Sequence, residues 1–187
     1  MLVVHCGPLS SNYDRACELF YSLKGGVVNY GETHSKQHNH SQYGESCGNG
    51  LYPDWNEDNP IHLVGHSLGT FYIEKPAYVL GANTVLMLQT LLEQKAFAGY
   101  NTNAKWIKSI TTISGNMNGT TTGNILGMNK GKGFRVFSFA QIFATLISLY
   151  EWLDIKYMKK YVNLGLDHYN LSWRKTGMFG RFQGNFG

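Results

Sequence analysis

The chain has 187 residues, 43% of them hydrophobic and 15% charged, which is enough for one domain with a core and too apolar for a disordered polypeptide. Its net charge of +4 comes from 16 scattered Lys and Arg against 12 acids, with only small clusters such as Lys156, Lys159 and Lys160, so no basic stripe points to nucleic acid. No run is long enough to span a membrane, since the most apolar stretch, Phe134 to Leu153, is interrupted by Arg135, Gln141 and Glu151.

Met1 to His5 is too short and too soon interrupted for a signal peptide, and Leu2–His5 reads as a strand. Ser10-Ser11-Asn12-Tyr13-Asp14 supplies helix-start chemistry, Arg15 to Leu23 continues with helical spacing, and Lys24-Gly25-Gly26 ends it. Val27-Val28 is a short apolar segment. Residues 31 to 50 are polar and rich in Gly and His, hence expected as loop, and Leu51 to Pro60 is a second connection. Ile61–Val64 reads as a strand. Val85 to Phe97 is an amphipathic helix with Leu86, Leu88, Leu91, Leu92 and Phe97 near one face. Ile107 to Ile113 is another buried strand, Asn116 to Lys132 a loop, and Phe134–Trp152 a long apolar helix. The tail from Thr176 has neither helical nor strand pattern. Strand, helix, strand, helix, strand implies an α/β architecture with a parallel sheet. The three cysteines, Cys6, Cys17 and Cys47, fit neither a zinc knuckle nor a redox pair; one disulfide with a free thiol and three free thiols both stay open.

The strand Ile61-His62-Leu63-Val64 runs into Gly65-His66-Ser67-Leu68-Gly69. Gly-x-Ser-x-Gly after a strand and before a helix is the sequence form of a nucleophile elbow, which lifts a serine hydroxyl out of a sharp turn. The glycines are required because side chains at 65 and 69 would collide with the neighbouring strand and helix. Ser67 is therefore the candidate nucleophile, and the backbone N–H of Leu68, which follows it, the candidate first oxyanion donor.

These segments carry a resemblance. The chain resembles the secreted zinc-containing triacylglycerol lipases of the staphylococcal and thermophilic-Bacillus type, which are α/β-hydrolases. Pro8-Leu9-Ser10-Ser11-Asn12-Tyr13-Asp14-Arg15-Ala16-Cys17-Glu18-Leu19 is similar to their first helix. Gly25-Gly26-Val27-Val28-Asn29-Tyr30-Gly31 with His34, His38 and His40 is similar to their zinc loop. Ser109-Ile110-Thr111-Thr112-Ile113 with Asn118-Gly119-Thr120 resembles the strand and loop after the nucleophile helix, and Leu164-Gly165-Leu166-Asp167-His168-Tyr169 a later segment. The similarity runs from about Val3 to Trp173 and implies a partial α/β-hydrolase fold, a mostly parallel sheet with flanking helices and a zinc-binding insertion within residues 30–60.

The resemblance implies that Asp14, His34, His40 and Asp167 bind one structural zinc ion, with His38 a solvent-facing or outer residue that could compete as a ligand. Carboxylate and neutral imidazole suit a closed tetrahedral shell. The alternative is a merely polar, His-rich surface loop. In the family the second oxyanion donor lies in a His-Gly loop upstream of the segment matching Met1, and the catalytic Asp and His lie downstream of the segment matching the end of this chain, as would any calcium. The 187 residues are thus expected to be a single incomplete domain without its acid and base. His66 and His168 do not match the base position, and Asp154 and Asp167 are not promoted to the acid.

Thr70 to Leu80 is a departure: without it, Gly69 would join Gly81-Ala82-Asn83-Thr84-Val85 and restore the family's elbow-to-helix junction, and Pro76 would break a helix there. A retained intron or gene-model error explains this insertion together with the abrupt start and missing end; a genuine loop insertion is the rival. The helix within 133–153 matches the family's lid in position and a buried core helix in pattern, and both stay open. The implied activity is hydrolysis of acylglycerol esters at a lipid–water interface, by a secreted protein. The sequons at Asn39, Asn118 and Asn170 add weak support for secretion. The alternatives are a catalytically dead, zinc-stabilised lipid-binding fragment and a short-chain esterase.

Overall fold

A computed structural model describes residues 2, 4, 6–7, 10–38, 40–67, 70–71, 78–115, 125–129 and 133–152. Helix α1 (Asn12–Lys24) begins where Ser11, in extended backbone, accepts the N–H of Asp14 on its hydroxyl at 3.1 Å. It ends at Gly25, whose φ of 90° a side chain would resist. Strand β1 (Val27–Asn29) follows and pairs antiparallel with β2 (Tyr43–Ser46). Between them lies α2 (Glu32–His38). The expected loop over 31–50 therefore contains a helix and a strand. Its polar composition hid both, because α2 turns only Ser35 into the buried class and β2 is exposed along its whole length.

Strand β3 (Ile61–His66) pairs in parallel with β6 (Ile107–Ile113), as the α/β reading expects. The crossover between them includes α3 (Ala82–Glu93), which lies on both strands and packs against α1. Val85, Leu88, Leu91 and Leu92 form its inner face. Leu86, expected on that face, is exposed instead, since it follows Val85 by one residue and so points about 100° away. Leu19, Phe20, Leu88 and Leu92 are fully buried, each contributing about 1.5–3 kcal/mol by leaving water. Phe20 stacks on Phe97 at 3.7 Å, and the buried Trp55 donates its indole N–H to the Trp106 carbonyl at 2.8 Å, tying the 51–60 connection to the start of β6.

Leu2 and Val4, expected within a strand, take no part in one; Val4 is buried by packing rather than by strand pairing. Cys6, Cys17 and Cys47 are all free thiols. The apolar C-terminal helix α4 (Phe139–Trp152) starts five residues later than expected. Residues 133–134 pair as β8 (Gly133–Phe134) with β7 (Met128–Asn129), and Ser138 opens the helix by accepting the Gln141 N–H on its hydroxyl at 3.2 Å. Ser138-Phe-Ala-Gln141 is a capping-box signal that was present in the sequence. Phe139, Ile142, Phe143 and Leu146 are exposed while Gln141 is buried, so the first two turns of α4 turn these apolar side chains outward. No helix among the described residues is long and apolar enough to cross a membrane. The expected readings of 116–124 and of the tail from Thr176 lie outside the described residues.

Candidate functional site

The elbow is built at the C-terminal end of β3. Ser67 has φ 49°, a left-handed conformation that costs a non-glycine residue free energy and is held by its surroundings. Its N–H donates to the Ile113 carbonyl at the end of β6 at 2.8 Å, and its carbonyl accepts the Ala82 N–H at 2.9 Å. Gly65 is demanded by close approach: a Cβ there would lie 2.8 Å from Ala82 Cα and 3.0 Å from the Gly81 carbonyl oxygen. These contacts dock the start of α3 directly against the strand that carries the serine. Leu68, the candidate oxyanion donor, and Gly69 lie outside the described residues.

Residues 70–71 leave this junction and residues 78–80 return to it. Strands β4 (Thr70–Phe71) and β5 (Tyr78–Val79) pair antiparallel, Thr70 opposite Val79 and Phe71 opposite Tyr78. The His66 N–H donates to the Leu80 carbonyl at 2.7 Å, so the end of β5 is fastened beside Ser67. The Ser67–Ala82 bond is the one that a helix following Gly69 without interruption would make, because removing eleven residues puts these two positions four apart. Nothing in the sequence pattern had indicated the pairing of 70–71 with 78–79.

The second cluster lies at the start of α1. The Ser11 hydroxyl donates to Asp14 Oδ2 at 2.7 Å, which leaves Oδ1 directed at two imidazoles: His34 Nε2 lies 3.0 Å from it and His40 Nε2 3.7 Å. One ligand-type atom from each of Asp14, His34 and His40 lies within 4.8 Å of the others. His34 comes from α2 and stacks on Tyr13 at 3.8 Å between ring centroids; His40 follows the helix, with its N–H on the Ser35 carbonyl at 3.1 Å. His38 stands beside His34 at 4.4 Å between rings but is not part of the triad, and burial together with the neighbouring His34 pushes its pKa below the ordinary histidine value. Asp167 lies outside the described residues.

The donor set fits a divalent cation. His40 Nδ1 lies 2.8 Å from the Ser41 carbonyl oxygen, and since a carbonyl only accepts, that bond requires the proton on Nδ1. A neutral His40 then turns a lone pair toward the Asp14 carboxylate, an arrangement that a cation between them makes favourable. Backbone anchoring of the far ring nitrogen is how ligating histidines are oriented. Zinc bonds of about 2.0–2.1 Å in a tetrahedron hold ligand atoms about 3.3 Å apart, and the two carboxylate–imidazole separations, 3.0 and 3.7 Å, bracket that distance. Sequence reasoning missed the parts played by Ser11 and Tyr13, although Ser-x-x-Asp at a helix start was a legible signal for the first.

Near this cluster, burial pushes Glu18 from the ordinary glutamate value of 4.5 up to about 7, although it accepts hydrogen bonds from the Gly7 N–H at 2.5 Å and the Tyr30 hydroxyl at 3.2 Å. A carboxyl whose pKa rises on folding stabilises the fold below its unfolded value, and that contribution is lost as pH climbs through its folded value. Stability is therefore expected to fall by roughly 3 kcal/mol between pH 4.5 and 7 on account of this group. Glu18→Gln can keep both contacts, with the Tyr30 oxygen accepting from the new amide. Denaturant titrations should find the variant more stable than the parent at pH 8 and no more stable at pH 4.

The family model described as "Lipase-like, C-terminal domain" matches residues 4–171. A lipase of Staphylococcus hyicus is 32% identical over 174 residues, covering 90% of this chain and 24% of that protein. Lipase 1 of Staphylococcus aureus strain MRSA252 is 38% identical over 122 residues, covering 63% of this chain and 18% of that protein. The crystal structure of S. hyicus lipase superposes with a TM-score of 0.63 at 27% identity, over 93% of this chain and 42% of that one. EstA from Clostridium botulinum superposes with a TM-score of 0.52 at 35% identity, over 67% of this chain and 29% of that one. The chain thus spans about a quarter of the length of the S. hyicus lipase that it matches.

Proposed function

The chain belongs to the family of lipase-like C-terminal domains, and on that premise we propose that it supplies the nucleophile-bearing part of a carboxylic ester hydrolase acting on acylglycerols. The observation that carries this reading is Ser67 at φ 49° between a parallel strand and the helix docked on it. Ser67 gives up its proton to a base elsewhere in the enzyme and attacks the ester carbonyl, the Leu68 N–H stabilises the oxyanion, the ester C–O bond breaks and the alcohol leaves with that proton as the acyl-enzyme forms, and water then releases the fatty acid. Asp14, His34 and His40, with Asp167 as the fourth ligand, would hold a structural zinc that ties α1 to α2 and the turn after it, and the chemistry it would supply is charge neutralisation within that shell. The exposed apolar residues of α4 support its assignment as a lid that meets the lipid–water interface, and the family resemblance supports secretion.

A second reading has its own observation. The chain leaves the elbow into β4 at Thr70 rather than into a helix, which favours a catalytically silent, zinc-stabilised lipid-binding role.

The test uses residues 4–171 exchanged for the matching stretch of S. hyicus lipase, with and without Thr70–Leu80. Hydrolysis of emulsified triacylglycerol should exceed that of a dissolved short-chain ester, and Phe139→Ser with Phe143→Ser should reduce the emulsion rate selectively. Equal rates on both substrates would favour the short-chain esterase. Turnover only after Thr70–Leu80 is removed would favour the silent reading for the chain as it stands.

A further inference from the structure

The cluster at the start of α1 is enclosed. The side chains of Asp14 and His40 are 3% and 2% exposed and that of His34 15%, so His34 is the most open of the three. Tyr13 covers one face of the His34 ring, and Tyr30 stands edge-on to His40 at 5.5 Å. The Ser11 hydroxyl holds Asp14 Oδ2. A hydrated divalent cation has to shed water before it fits between these groups, so the site needs a route of entry that offers other ligands.

His38 lies where such a ligand would stand. It follows His34 by four residues on α2, and its ring lies 4.4 Å from the His34 ring, tilted by 43°. Residues four apart share a helix face, and two histidines at that spacing are a bidentate arrangement for zinc. His38 is half-buried, more open than Asp14 or His40. Lys36, the cation of this helix, lies two residues from each histidine and hence about 200° round the helix, where it pairs with Glu32, so its charge does not face the incoming ion.

We propose that His38 and His34 form an outer capture site for a divalent cation of the zinc class, feeding the inner site of Asp14, His34 and His40. The two imidazoles take the hydrated ion by exchanging water for ring-nitrogen lone pairs. Asp14 Oδ1 and His40 Nε2 then replace His38 and bound water, while His34 keeps its bond. Only metal–ligand bonds are exchanged and no electron moves. The proton between His34 Nε2 and Asp14 Oδ1 passes by way of solvent to His34 Nδ1, and His40 already carries its proton on Nδ1. The proposal rests on the inner zinc site. A group that eases passage in both directions speeds uptake and release alike and leaves the affinity where it was.

The test follows zinc uptake by the chelator-stripped 187-residue chain, and release to a chromophoric chelator, in stopped flow. His38→Gln keeps a polar side chain but gives up the imidazole. It should slow both rates on the order of tenfold or more, because the ion is no longer held at high local concentration beside the inner site. Its stoichiometry and dissociation constant should match the parent's. His38→Asp, which restores a zinc ligand, should recover much of the rate, and Lys36→Gln should behave as the parent. Parent-like rates in His38→Gln would overturn the proposal and leave the inner site standing, as would a His38→Asp variant as slow as His38→Gln. A weaker affinity with unchanged uptake would overturn it too, by making His38 a resident ligand. A parent chain that takes up no zinc would overturn the inner site and the route into it together.

Discussion

Ser67→Ala is expected to abolish ester hydrolysis in a complete lipase domain that carries residues 4–171, lowering the rate by roughly 10⁶-fold, as loss of a serine nucleophile does elsewhere. The expectation follows from geometry that serves little else: the left-handed Ser67 backbone, the close approach of Gly65 to Ala82, and the docking of α3 on β3 all present this one residue at a strand terminus. The 187-residue polypeptide by itself is bounded by the same chemistry. Among the described residues no histidine hydrogen-bonds to the Ser67 hydroxyl, so nothing there takes its proton. Turnover of emulsified triacylglycerol by that polypeptide should be near background and unchanged by Ser67→Ala.

Zinc should bind in one-to-one amount and raise the thermal unfolding midpoint by roughly 5–10 °C at a hundredfold excess over its dissociation constant. Asp14, His34 and His40 come from α1, α2 and the turn after it, where Tyr13 stacks on His34 and Tyr30 meets His40 edge-on. A cation bound only by the folded arrangement couples them. His34→Ala or His40→Ala should remove most of the zinc-dependent increment, whereas His38→Ala, outside the triad, should leave the stoichiometry intact. Metal analysis and calorimetry with and without chelator decide this; protein without zinc and indifferent to His34→Ala would rule the site out.

The parts legible in the sequence were those whose residues answer to one strong local rule. The elbow announced itself because only glycine fits beside Ala82. Helix α1 did so through Ser11, and β3 and β6 through short runs of aliphatic and β-branched residues, although β6 itself has no buried residue. What escaped has a common cause in weak burial: α2 and β2 are polar elements whose order comes from contacts with distant segments. Leu86 was misplaced because it neighbours a true core position. For α4 the pattern showed apolar residues all round, but exposure depends on what stands opposite, and no spacing rule reports that. The triad of Asp14, His34 and His40 came from family resemblance; the orientation of its ligands by Ser11 and by the Ser41 carbonyl needed coordinates.

Covalent labelling at the elbow tests the central assignment most directly. A long-chain alkylphosphonate nitrophenyl ester transfers its phosphonyl group to an activated serine and releases nitrophenol. Peptide mass spectrometry of the labelled complete domain then locates the adduct. One phosphonyl group on the peptide containing Ser67, absent in Ser67→Ala, is the expected result. Stoichiometric labelling of another residue, or nitrophenol release that persists in Ser67→Ala, would contradict it.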